Sequence, residues 1–92
     1  MIRLNVQIEI SDDERAREIM RLGTELTELS LHDEGCIDYD LYRSTTSDDR
    51  LMIVETWEND HALRKHEESE HFRRIVPRLQ ELGTLTLERF DF

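Results

Sequence analysis

Apolar and polar residues alternate along four stretches of the chain, a pattern typical of half-buried β-strands. Strands are therefore predicted at residues 2–10, 36–43, 51–57 and 84–92. The third carries apolar residues on both faces, as expected where a second surface covers the face that the chain's own helices do not. In the last strand the apolar positions change parity between Leu87 and Phe90, which predicts a β-bulge.

Between the first two strands and before the last, apolar residues recur every three or four positions, as on the buried side of an amphipathic helix. The predicted helices are a long one that follows the capping box Ser11-Asp12-Asp13-Glu14, a short one capped by Asn59 that runs to about Glu67, and one capped by Ser69 that covers residues 70–82. Gly35 is expected to end the long helix. Pro77 predicts a kink or a restart of the last helix near Ile75.

The resulting order of strand, helix, two strands, helix pair and strand is the βαββαβ order of ferredoxin-like domains. We therefore expect a single α+β domain over residues 1–92. Such helices cover only one face of a four-stranded sheet, yet Tyr42, Met52 and Val54 place apolar side chains on the other face. We expect two copies of the chain to bury these faces against each other as a homodimer.

Charge and cysteine content narrow the functional classes. The chain carries 22 acidic and 12 basic residues, and its formal charge of −10 repels nucleic acid and anionic membrane surfaces. Its only cysteine, Cys36, excludes an intramolecular disulfide and any multi-cysteine metal site. The N-terminus alternates instead of forming the apolar stretch of an export signal, so we expect a cytoplasmic protein.

Histidine spacing is the first candidate signal for chemistry. His61, His66 and His71 are five residues apart, which places successive histidines about 140° apart around a helix. They do not share a helix face, so the sequence predicts no metal site.

Glu55 and Trp57 share the inward face of the third strand. A carboxylate at such a position either pairs with a cation, within the chain or across a dimer, or has a raised pKa. Trp57 either fills the core or uses its indole N–H to hold a substrate oxygen. The sequence leaves both alternatives open.

Three groups of residues, taken together, resemble the antibiotic biosynthesis monooxygenase family and especially its small quinol monooxygenases: Glu34-Gly35-Cys36-x-x-Tyr39, Met52-Ile53-Val54-Glu55-x-Trp57-Glu58 and Ala62-Leu63-x-x-His66-x-x-Ser69-x-His71-Phe72. The resemblance covers nearly the whole chain. It implies a dimeric α+β barrel of two ferredoxin-like subunits, each with its own pocket. It also implies oxidation of an aromatic hydroquinone or phenol by O₂, with no metal, flavin or other cofactor.

On this resemblance His66 is the expected general base, because a near-neutral imidazole suits proton abstraction, and Trp57 orients the oxygen or stacks on the substrate. The expected substrate-binding residues are Asn5, Tyr39, Glu55, His71 and Phe72. Asn5 can take this role only if the first strand bulges. Haem cleavage, known among relatives, is disfavoured because residues 73–76 contain no axial histidine. A cofactor-free isomerase of a small phosphorylated sugar and a non-catalytic dimeric ligand-binding or stress-response module stay open as alternatives.

Overall fold

The computed structural model describes residues 1–92 throughout. Its elements are, in chain order, β1 (Ile2–Ile10), α1 (Asp13–Ser30), β2 (Cys36–Arg43), β3 (Arg50–Trp57), α2 (Asp60–Glu67), α3 (Glu70–Leu82) and β4 (Gly83–Asp91). The strands form one antiparallel sheet in the order β2-β3-β1-β4. The predicted ferredoxin-like α+β subunit is therefore confirmed. No helix is long and apolar enough to cross a membrane.

The core lies between the helices and one face of the sheet. Sixteen buried hydrophobic residues form a single cluster there. Alternation along β1 points Leu4 and Ile8 into this layer, while α1 and α3, which pack side by side, contribute Ile19 and Ile75 from above. The same alternation along β3 directs Glu55 and Trp57 inward, because they follow Ile53 on its face of the strand.

The other face of the sheet is not covered by any element of the chain. Tyr42 and Phe90 are about half exposed there, at 53% and 49%. Met52 and Val54 lie between them and are half-buried. We refer to this surface as the open face of the sheet. The open face carries both apolar and polar side chains, and it is exposed to solvent in a single subunit.

Both ends of α1 differ from the sequence-based prediction. Asp12, not Ser11, is the N-cap, and its carboxylate accepts a hydrogen bond from the Arg15 amide at 2.8 Å. A carboxylate caps the helix and also places a full negative charge at the positive end of the helix dipole. The helix then ends at Ser30, so Gly35 does not stop it and lies instead in the turn that leads to β2.

Pro77 lies inside α3 without dividing it. The helix is continuous from Glu70 to Leu82, so the predicted restart near Ile75 is wrong. Pro77 removes one backbone donor, but Ile75 and Leu79, one turn apart, are both fully buried. Burial of this apolar stripe stabilises the helix by more than the lost hydrogen bond costs.

The predicted bulge in β4 is also wrong. β4 pairs with β1 residue by residue over its whole length, and the only register shift in the sheet lies in β2, between Cys36 and Asp38. The change of apolar parity has another cause. Leu87 points toward the helices, whereas Phe90 points to the open face, so the strand places apolar side chains on both sides of the sheet.

Candidate active site

A cavity of about 210 Å³ lies between the inward face of the sheet and helices α2 and α3. Its fifteen lining residues come from all four strands and all three helices, and eleven of them are hydrophobic. The remaining lining residues are Glu55, His66, Glu67 and Gln80. No lysine or arginine lines the cavity. It is therefore a small, mostly apolar site with acid and base groups in its wall.

His66 is a buried imidazole in the cavity wall, with 1% of its surface exposed. Its Nδ1 atom lies 2.8 Å from Asp33 Oδ2, and His71 Nε2 lies 2.8 Å from the same oxygen. His66 Nε2 is buried and has no hydrogen-bond partner. Burial lowers the pKa of His66 from its usual 6.5, although the hydrogen bond and charge of Asp33 oppose the shift. His66 is thus a neutral base at pH 7.

Aromatic rings hold the His66 imidazole in place. The Trp57 ring lies against it with centroids 4.5 Å apart and an interplanar angle of 33°. Tyr39 and Phe72 approach it edge-on, at 5.6 Å and 5.2 Å between centroids. Aromatic pairs of this geometry are mutually stabilising, and close packing leaves a buried ring few alternative rotamers. The direction in which His66 Nε2 points is therefore fixed by its neighbours.

Glu55 is a buried carboxyl group that has no cationic partner within the chain. Its Oε1 atom accepts a hydrogen bond from Trp57 Nε1 at 2.8 Å. Burial raises the pKa of Glu55 to about 7, although hydrogen bonds from Trp57 and Tyr39 oppose the shift. The sequence left open whether Glu55 pairs with a cation or has a raised pKa. Within the subunit, Glu55 has the raised pKa and no cation beside it. The indole N–H of Trp57 is occupied by Glu55 and is not free to hold a substrate oxygen.

The structure brings most of the predicted site residues to one place. Those that line the cavity are Tyr39, Glu55, His66 and Phe72. Trp57 and His71 lie behind the wall and contact His66, so neither touches the cavity directly. Asn5 is on the open face, because β1 pairs regularly with both neighbours and has no bulge to turn its side chain inward. The cavity therefore does not include Asn5.

Asp33 is a site residue that the sequence did not reveal. It follows α1 in a polar turn, 33 positions before His66, and no local pattern relates the two. Gly35 brings this turn close to α2. Its φ is +78°, and a Cβ atom at this position would collide with the Cβ of Ala62. Gly35 was thus the only feature of the sequence that indicated a close contact between this turn and α2.

The side chains of Asp33, His66 and His71 also form a set of three potential metal donors, with atoms within 4.8 Å of one another. Two histidines and a carboxylate are a donor set that suits divalent transition metals. Histidine spacing alone did not predict the set, because Asp33 comes from a distant turn. In the structure two hydrogen bonds already satisfy the three atoms, and we interpret the group as a hydrogen-bonded network.

Comparison with known proteins identifies the family of the chain. The sequence profile of the antibiotic biosynthesis monooxygenase family matches residues 1–78. The chain belongs to the antibiotic biosynthesis monooxygenase family. Within it, the chain is similar to Bacillus subtilis YcnE, described as a candidate monooxygenase, with 27% identity over 88 residues that make up 96% of this chain and 92% of YcnE. The family resemblance seen in the sequence motifs is confirmed.

Solved structures of related folds extend this comparison. A conserved Bacteroides thetaiotaomicron protein, described as a possible oxidoreductase, is 42% identical with a TM-score of 0.95, over 99% of this chain and 96% of the other. SnoaB, a cofactor-independent oxygenase from Streptomyces nogalater, has a TM-score of 0.86 at 15% identity, over 99% and 91% of the two chains. At that identity SnoaB shows the shared fold alone.

The raised pKa of Glu55 predicts how the stability of this monooxygenase-family chain depends on pH. The folded chain holds the Glu55 proton up to about pH 7, whereas the unfolded chain releases it near 4.5. Raising the pH through this window therefore destabilises the fold. Glu55→Gln resembles the protonated side chain but cannot ionise, so its stability does not fall as the pH rises through this window. We expect its stability advantage over the native chain to grow by about 2–3 kcal/mol between about pH 5 and pH 8.

Urea unfolding at a fixed protein concentration measures this difference. The matched control is Glu28→Gln, which removes an exposed carboxylate from α1 and should keep a constant difference from the native chain. A Glu55→Gln difference that does not change with pH would show that Glu55 ionises in the folded state as it does in water.

Proposed function

We propose that the chain is the subunit of a cofactor-independent monooxygenase that oxidises a small aromatic quinol or phenol with O₂. The observation that carries the proposal is His66, a buried base in the wall of a mostly apolar cavity, whose Nε2 atom has no hydrogen-bond partner. Without a cofactor, the substrate itself must supply the electrons. A phenol does so readily once it is deprotonated, so the protein has to accept a proton and exclude water.

The proposed reaction balances with O₂ as the only oxidant. His66 Nε2 takes a hydroxyl proton from a 1,4-hydroquinone, and the resulting anion passes one electron to O₂. The semiquinone and superoxide join through a new carbon–oxygen bond, and the peroxide receives the proton back from His66. The O–O bond then breaks, and the distal OH leaves as water with the ring C–H proton. A hydroxyquinone remains, the substrate has lost four electrons, and O₂ has gained four.

The cavity favours a small and uncharged substrate. An engineered cavity of about 150 Å³ binds benzene, so a volume of about 210 Å³ accommodates one substituted ring better than the multi-ring phenols of some family members. Phosphate recognition requires cations or clustered N–H donors, whereas this cavity contains Glu55 and Glu67 and no cation. A phosphorylated sugar is therefore disfavoured as substrate.

The homodimer predicted from the sequence belongs to the same proposal. The open face exposes Tyr42 and Phe90 beside half-buried Met52 and Val54, which a second copy would cover. A chain of 92 residues builds only a thin core, so burial of this face would add stability that the subunit lacks. We also retain the cytoplasmic location expected from the sequence.

Oxygen uptake with a panel of hydroquinones tests the proposed activity. We expect the native protein to consume one O₂ per hydroxyquinone without accumulating H₂O₂, and to prefer one-ring over three-ring quinols. Because loss of a general base typically costs about 10²–10⁴ in rate, His66→Gln should lower kcat by that factor. His61→Gln, an exposed position in the same helix, is the matched control and should retain the native rate.

Two outcomes would contradict this assignment. If His66→Gln turned over quinols at the native rate, His66 would not be the general base. Binding of quinols by the native protein, without oxygen uptake above the spontaneous rate, would favour the non-catalytic binding module.

Analytical ultracentrifugation tests the dimer. At micromolar concentration we expect the native protein to sediment at twice the chain mass of 11.1 kDa. Val54→Glu should give single chains, because the symmetric contact would bury two like charges. Thr24→Glu, on the exposed surface of α1, adds the same charge and should leave the dimer intact. Native protein that sediments as a single chain would overturn the dimer proposal.

A further inference from the structure

We propose that Asp33 is the positioning residue of this site, which holds the neutral His66 ring as its Nδ1–H tautomer and so directs the lone pair of Nε2 into the cavity. This inference rests on the proposed function, in which His66 is the general base.

The first step of the argument concerns the tautomer. Asp33 Oδ2 lies 2.8 Å from His66 Nδ1. An ionised carboxylate can only accept hydrogen bonds, so the proton between these two atoms belongs to His66 Nδ1. A neutral imidazole carries one N–H, and the other ring nitrogen then has a lone pair. With Nδ1 protonated, Nε2 is left as the basic atom of His66.

The second step concerns His71, which keeps Asp33 an acceptor. Its Nε2 atom lies 2.8 Å from the same Oδ2, and its side chain is 14% exposed. A carboxylate oxygen has two lone pairs, and two ring N–H groups at this distance occupy both. Asp33 therefore serves both histidines from one atom, and the arrangement resembles the carboxylate that orients the imidazole of a catalytic triad.

The third step concerns the free end of the His66 ring. Nε2 is buried and has no partner, although buried polar atoms in folded proteins nearly always have one. A purely structural histidine would be expected to use both ring nitrogens. The unused lone pair of Nε2 instead suits a donor that arrives with the substrate, such as a phenolic hydroxyl group.

Nitrogen NMR of protein labelled with ¹⁵N-histidine tests the tautomer directly, since protonated and unprotonated ring nitrogens have well-separated shifts. We expect Nδ1 of His66 to be protonated and Nε2 to be unprotonated in the native protein without substrate. Asp33→Ala removes the acceptor and should populate the Nε2–H form. The same variant should lower kcat for a quinol by up to about 10⁴-fold, as the loss of the correct tautomer does in a catalytic triad, with little change in KM, because the base is misdirected while the cavity is kept.

Two further variants, one control and one second test of Asp33, complete the experiment. His71→Gln retains an N–H donor for Asp33 and should keep the native tautomer. Asp33→Asn keeps the shape of the side chain but can turn its amide N–H to His66 Nδ1, so it should populate the Nε2–H form as Asp33→Ala does, and the test survives if Asp33→Ala does not fold. A native His66 protonated at Nε2, or an Asp33→Ala protein with native kcat, would overturn the proposal. A native Nδ1–H tautomer in a protein that oxidises no quinol would leave the assignment of Asp33 standing while the oxygenase proposal fails.

Discussion

One carboxylate oxygen holds the site together. Asp33 Oδ2 receives hydrogen bonds from His66 in α2 and His71 in α3, and so ties the turn after α1 to both later helices. Close approach of that turn to α2 requires Gly35. Together with the aromatic rings packed around it, this contact fixes the orientation of the His66 ring in the wall of the cavity.

Burial shifts the protonation of Glu55 and His66, which both line the cavity, for the same physical reason. It disfavours charge, and therefore raises the pKa of Glu55 to about 7 and lowers that of His66. At neutral pH the site presents a neutral base and a carboxyl group near its midpoint, in surroundings that are mostly apolar. Such a site suits the removal of a proton from a neutral phenol, and it is poorly suited to polyanions.

Alternation along the strands made much of the fold predictable, because it separates the residues that face the helices from those on the open face. It predicts that Glu55 and Trp57 face inward and Met52 faces outward, as they do in the structure. One prediction failed because it depended on tertiary contacts: core packing keeps α3 whole around Pro77. Asp33 could not be found because its partners lie in distant segments, and local spacing carries no information about them.

A structure of the protein crystallised without oxygen in the presence of hydroquinone tests the central claim most directly. The account predicts one ring inside the cavity, with a hydroxyl oxygen about 2.6–3.2 Å from His66 Nε2 and Asp33 still bonded to Nδ1. A cavity that stays empty at saturating hydroquinone, or a bound ring whose hydroxyl groups avoid Nε2, would contradict it.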